Sequence, residues 1–116
     1  MKYAIVGSRK RNDEEIIREF VRNLPCDSII VSGGCRGVDT WAIDEAEKCG
    51  LETIVFLPDL SGCKKRFEFA KAYYSRNQQI AEFCDILVAF VSADRKGGTE
   101  DTIKKAARLN RKVMTK

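Results

Sequence analysis

The stretch Ser32-Gly-Gly-Cys-Arg-Gly-Val-Asp39 follows directly on the apolar run Ser28-Ile-Ile-Val-Ser32, and a second glycine pair stands in Lys96-Gly-Gly-Thr-Glu100. Glycine lets a backbone approach a ligand closely and present successive N–H groups to it. A helix beginning just after such a turn adds a partial positive charge. That combination suits a phosphate. Two such loops make binding of a nucleotide-type ligand the leading expectation. Gly33, Gly34, Cys35, Arg36 and Gly37 are its first candidate contacts, with Gly97, Gly98 and Thr99 at the second loop.

Other residue types sharpen this reading while leaving choices open. Asp39 serves as a helix N-cap or as an acceptor for ribose hydroxyls; the sequence does not choose. Gly7-Ser8-Arg9 follows another apolar run, which aims Arg9 at the same crevice; its alternative is a solvated charge beside Lys10 and Arg11. Arg76 offers a planar fork for phosphate or carboxylate, with Asn77 beside it. Ser92 opens the segment leading to the second glycine pair. Glu100 and Asp101 fall in a first helical turn, where carboxylates favour the dipole; Glu100 is also a candidate for ribose contact or acid/base work. Lys64, Lys65, Arg66, Tyr73 and Tyr74 form a basic and aromatic stretch. It is either a solvated helix face or a surface that tracks nucleic acid and stacks bases.

Composition removes several chemistries. The chain has no histidine. Ser-His-Asp and Cys-His nucleophilic schemes and histidine-ligated metals are thereby excluded. The five cysteines are odd in number and contain no C-x-x-C pair, so no zinc site or disulfide framework is expected and most should be small buried hydrophobes. Cys35 differs by lying in the glycine loop near a helix start. No metal and no required cofactor are expected. The net charge of +4 fits a phosphate-bearing partner without proving nucleic-acid binding.

Positioning these residues requires an alternating scaffold. The 116 residues, 44% hydrophobic and with two prolines, predict one domain with a real core. Strands are predicted over 2–6, 28–32, 52–57 and 85–91, with a short edge strand at 112–114. Between them, Asn12 with Glu15 three residues on reads as a capping box for a helix whose inward face is Ile16, Ile17, Phe20, Val21 and Leu24. A second helix is predicted from about Thr40 to Cys49 with Trp41, Ala42, Ala46 and Cys49 inward. Helices over 64–74 and 77–83 and a last one from Thr99 to about Leu109 follow. Continuous apolar central strands alternating with helices imply a three-layer α/β/α Rossmann-like fold with a mostly parallel sheet of about five strands. In such a sheet, ligands bind at the carboxyl ends of the strands where the strand order reverses.

These motifs carry a family resemblance. Ser32 to Asp39, the following helix, Gly50 to Phe56, Arg76-Asn77, Cys84 to Val88 and Gly97-Gly-Thr99 resemble the core of the DNA-processing DprA/Smf family. The same core defines the SLOG superfamily, which includes the LOG phosphoribohydrolases. The resemblance implies a nucleotide-type pocket: nucleotides or NAD-derived signals in some members, single-stranded DNA in DprA, and N-glycosidic cleavage in LOG enzymes. LOG enzymes carry Pro-Gly-Gly-x-Gly-Thr-x-x-Glu, and here the position of its catalytic Glu falls on Thr102. Were this chain an enzyme, its catalytic set would be Arg76 with Glu100 or Asp101.

The reading is therefore binding of a nucleotide or nucleotide-derived small molecule, ADP-ribose types included. LOG-like hydrolysis and single-stranded nucleic-acid binding are the alternatives. No membrane span or signal peptide is legible, so a cytoplasmic location is expected. A homodimer is expected to cover the open edge with helices from about Lys64 to Phe83 and Thr99 to Leu109.

Overall fold

The structure, a computed structural model, describes residues 1–116. The elements run β1 (Lys2–Gly7), α1 (Glu14–Arg22), β2 (Ile29–Ser32), α2 (Val38–Lys48), β3 (Glu52–Val55), α3 (Arg66–Phe83), β4 (Ile86–Phe90), α4 (Gly98–Arg108) and β5 (Lys112–Thr115). All four strand pairings are parallel. The sheet order is β3-β2-β1-β4-β5. The chain thus builds outward from β1 in one direction and then, from β4, in the other. The point of reversal lies between β1 and β4, the position where open α/β sheets place ligands.

Side-chain alternation divides the core into two. Ile5, Ile30, Val88 and Phe90 pack with Ile17 and Val21 of α1 and Ala42 and Ala46 of α2 on one face. Ala4, Val6, Val31, Leu87 and Ala89 pack with Ile80 and Ala81 of α3 and Ala106 of α4 on the other. The interiors of the central strands, Ala4-Ile-Val6, Ile29-Ile-Val31 and Ile86-Leu-Val-Ala-Phe90, are continuously apolar because helices cover both faces. The three-layer Rossmann-like architecture expected from the sequence is present, and its sheet is wholly parallel.

Several local expectations are corrected. Residues 64–83 do not form two helices; α3 runs unbroken for 18 residues. Arg76 and Asn77 sit inside it and are buried, so their polarity marks an inward contact and not a break. Asn12 does not cap α1: the N-cap is Asp13, without a side-chain cap bond, because its carboxylate is held by Arg11 at 2.9 and 2.5 Å. Ile16 is 58% exposed, on the flank of the stripe formed by Ile17 and Val21. Cys49 is exposed, and of the five cysteines only Cys84 is buried. The first ten residues of α3, Arg66 to Ser75, include no buried side chain.

Candidate functional site

The loops after β1, β2 and β4 meet at the carboxyl edge, held by specific close approaches. Ser8 N–H donates to Phe90 O at 3.0 Å, tying the ends of β1 and β4. Gly7 allows α2 to begin directly over β1, since a Cβ there would lie 2.6 Å from Val38 Cγ2. Gly33 is still tighter. Its added Cβ would lie 2.7 Å from Arg76 Nη1 and 3.1 Å from Asp39 Oδ2.

Asp39 is not the N-cap of α2. That position is Gly37, at φ +91° and with no side-chain cap bond. Asp39 lies in the first turn and reaches back, its Oδ2 accepting from Gly33 N–H and Cys35 N–H, both at 3.2 Å. Asp39 is 4% exposed. Burial pushes its pKa up to about 6, against the backbone donors and the nearby Arg76 guanidinium, which favour the charged form. Two of the N–H groups expected to meet a ligand are therefore taken by the protein's own carboxylate. Those of Gly34, Arg36 and Gly37 have no protein acceptor.

Arg76 secures the loop from the other side. Its Nη1 donates to Gly33 O at 2.5 Å and to Phe56 O at 3.5 Å, its Nε to Asn77 Oδ1 at 3.1 Å, and its Nη2 to Cys35 Sγ at 3.4 Å. The fork expected to be open toward an anion is thus occupied by protein atoms, most weakly at Nη2. Asn77 continues the network, donating to Asp101 Oδ2 at 3.0 Å, and Lys105 Nζ lies 2.8 Å from both oxygens of Asp101.

The β4–α4 loop is ordered the same way. The buried Ser92 hydroxyl donates to Asp94 Oδ1 at 2.6 Å, and Asp94 also pairs with Lys10. The Lys10 ammonium and then the Ser92 hydroxyl draw the Asp94 pKa down to about 2. Arg95, at φ +53°, grips Glu100 with two bonds of 2.9 and 3.0 Å. Gly97 is the N-cap of α4 at φ +109°, again without a side-chain cap, and Thr99 is half-buried in the first turn. Thr102 is buried and donates to Gly98 O at 3.2 Å. Each of the carboxylates Asp39, Asp94, Glu100 and Asp101 is engaged by the protein. Arg9, Arg36 and Lys96 are exposed and form no ion pair. No group of three or more His, Cys, Asp or Glu side chains is placed to hold a metal.

Two hollows flank this edge. One, of about 320 Å³, lies between the segment after β3 and the middle of α3, lined by Leu57, Pro58, Asp59, Ala72, Ser75, Arg76 and Gln79. The other, about 470 Å³, is a groove along α3 lined by Phe67, Ala70, Lys71, Tyr74, Ser75, Gln78 and Lys105. Among the candidate contacts on the glycine loops and Arg76-Asn77, only Arg76 borders either. Sequence reasoning passed over Leu57, Pro58, Asp59, Ser75 and Gln79. The available signals were a strand ending in an apolar residue at the ligand edge, and the spacing of Ala72, Ser75, Arg76 and Gln79 on one helix face.

The family model for DNA recombination-mediator protein A matches residues 1–68, the stretch that carries β1, β2 and the glycine loop with Asp39. No curated protein matches the chain. The X-ray structure of DNA processing protein A (DprA) from Streptococcus pneumoniae is similar in fold, with a TM-score of 0.81 over 98% of this chain at 23% identity. The chain spans 49% of that structure's length. No helix is long and apolar enough to cross a membrane.

Proposed function

The chain belongs to the DNA recombination-mediator protein A family, and from that premise we propose that it is a binding module that holds a nucleotide unit at the carboxyl edge of its sheet. The observation that carries the reading is the double anchoring of Gly33 by Arg76 and Asp39. It fixes a loop whose Gly34, Arg36 and Gly37 N–H groups have no protein acceptor, beside two helix starts without side-chain caps. Amides held in place need no reorganisation on meeting a phosphate. Arg9, Arg36 and Lys96 supply unpaired cations on the same rim. The ligand class is a nucleotide or an ADP-ribose-type molecule, with no metal or cofactor needed for binding.

Catalysis of the LOG type has less support. Stabilising an oxocarbenium-like centre needs a free carboxylate. Glu100 is paired with Arg95, and Asp101 with Lys105. The alternative predicts release of free base from AMP; the binding reading predicts none under conditions where AMP binds.

A second reading, single-stranded nucleic acid as the source of that nucleotide unit, is favoured by the groove along α3. Phe67 is 66% and Tyr74 51% exposed there. Lys64, Lys65, Arg66 and Lys71 form no ion pair. Flat rings among free cations suit bases and phosphates. The expected homodimer would use the same helices, and its test is light scattering: a mass of 13.1 kDa, unchanged with ligand, contradicts it. Titration calorimetry with AMP and ADP-ribose tests the nucleotide reading. Saturable binding that Arg36→Ala weakens supports it; no binding by the wild type at low salt overturns it.

A further inference from the structure

We propose that the hollow between the segment after β3 and the middle of α3 is a nucleobase slot that selects guanine. The inference rests on the nucleotide reading above and adds to it the identity of the base. Leu57, Pro58 and Ala72 give the slot aliphatic walls. Leu57 is 68% exposed, a large apolar side chain that the fold itself leaves uncovered. A volume of about 320 Å³ lies at the small end of the range for ligand pockets, roughly 300–1,000 Å³.

The slot is continuous with the glycine loop. A Cβ on Gly34 would lie 2.8 Å from Leu57 Cδ2, so the loop's backbone rests against the slot wall. Arg76 borders the slot and holds Gly33 O. A phosphate at the Gly34 end of the loop and a base against Leu57 would therefore be neighbours, as they are in one nucleotide.

The polar groups of the slot determine which base fits. Asp59 Oδ1 accepts from the Ser61 N–H at 3.1 Å and its hydroxyl at 2.6 Å, while Oδ2 has no protein donor. Those Ser61 bonds hold the carboxyl below the usual carboxylate range, so it stays ionised and only accepts. The side chains of Ser75 and Gln79 make no hydrogen bond within the protein. A base entering here must bring donors to Asp59. Guanine has two adjacent ones, its ring N–H and its exocyclic amino group, which can share the open Oδ2 because Oδ1 is filled by Ser61, next to a carbonyl for the Gln79 amide. Adenine and cytosine bring one amino group beside an unprotonated ring nitrogen. Thymine and uracil bring one N–H between two carbonyls, which a carboxylate repels. The order expected is guanine, then adenine and cytosine, then uracil or thymine. Charge-assisted, two-point recognition of this kind discriminates by about tenfold or more.

Calorimetric titration with GMP, AMP, CMP and UMP, and with ribose 5-phosphate as the base-free probe, tests the slot. GMP should bind at least about tenfold more tightly than UMP. Asp59→Asn, an exposed position whose replacement leaves the core intact, should bring GMP and UMP together while ribose 5-phosphate affinity is unchanged. Leu57→Ser should weaken every nucleotide more than it weakens ribose 5-phosphate. Equal GMP and UMP affinity in the wild type, with ribose 5-phosphate still bound, overturns the slot and leaves the nucleotide reading standing. Failure of every phosphate-bearing probe overturns both. A parallel titration with a short single strand carrying one guanine assigns the source: tighter binding than GMP points to a strand, weaker binding to the free nucleotide.

Discussion

Arg76 and Asp39 grip the same residue from opposite sides: Arg76 Nη1 takes the carbonyl oxygen of Gly33 and Asp39 Oδ2 takes its N–H. The two side chains come from α3 and α2, elements on opposite faces of the sheet, and they meet at the end of β2. Their charges act on each other across that glycine, since Arg76 favours the ionised form of Asp39. One peptide position thereby couples both helical layers to the loop that carries the candidate phosphate contacts.

Glycine is required there for space. In Gly33→Ala the new methyl would sit 2.7 Å from Arg76 Nη1 and 2.9 Å from its Cζ. Overpacking of this kind costs about 1–3 kcal/mol, and the guanidinium must shift off the loop. Urea denaturation should show a loss in that range. Unchanged stability would mean that the grip is loose enough to give way.

Asp39 predicts a pH dependence with a definite sign. Its carboxyl group titrates at about 6 in the fold and at its usual 3.8 when exposed. Between those values the folded state binds more protons than the unfolded chain, so this group's contribution to stability falls as pH rises through the window and stays at its low value above it. Asp13 and Asp44 are shifted down and act in the opposite sense. The diagnostic quantity is therefore the stability of wild type minus that of Asp39→Asn at each pH. It should decline from pH 4 to pH 6 and level off by pH 7. A constant difference would show that Asp39 titrates normally.

If single strands occupy the groove along α3, Phe67→Ala and Tyr74→Ala should each weaken oligonucleotide binding by about 1–3 kcal/mol. Lys71→Glu should also flatten the salt dependence, which runs near −0.7 per neutralised phosphate for single strands. Fluorescence anisotropy at two salt concentrations measures both effects. Salt-insensitive binding, or binding indifferent to both rings, would rule the groove out.

What the sequence disclosed follows from how local each signal is. The strands β1, β2 and β4 are continuous apolar runs, so their burial and parallel pairing are legible, and with them the edge where the loops gather. The role of Asp39 is not, because an acidic residue at a helix start has the same local pattern whether it caps its own helix or reaches back to Gly33 and Cys35. Arg76 falls between the helices predicted over 64–74 and 77–83, because its partner Gly33 O and the Asp101 partner of neighbouring Asn77 lie 43 and 24 positions away and leave no local trace of burial. The slot beside Leu57 is invisible for the same reason: its walls come from two segments that only the crossover from β3 to α3 brings together.

The proposed binding of a nucleotide unit at the carboxyl edge runs through the loop that Gly33 anchors, and one comparison bears on it above the others. Thermal denaturation of wild type and Arg36→Ala with a graded series of nucleotides measures it most directly, since the Arg36 side chain is exposed and forms no ion pair. At a ligand concentration 100 times the dissociation constant, the wild type should gain about 2.7 kcal/mol, and at that same concentration the variant should gain markedly less. Equal stabilisation of both proteins, or none of the wild type by any nucleotide, would contradict the account.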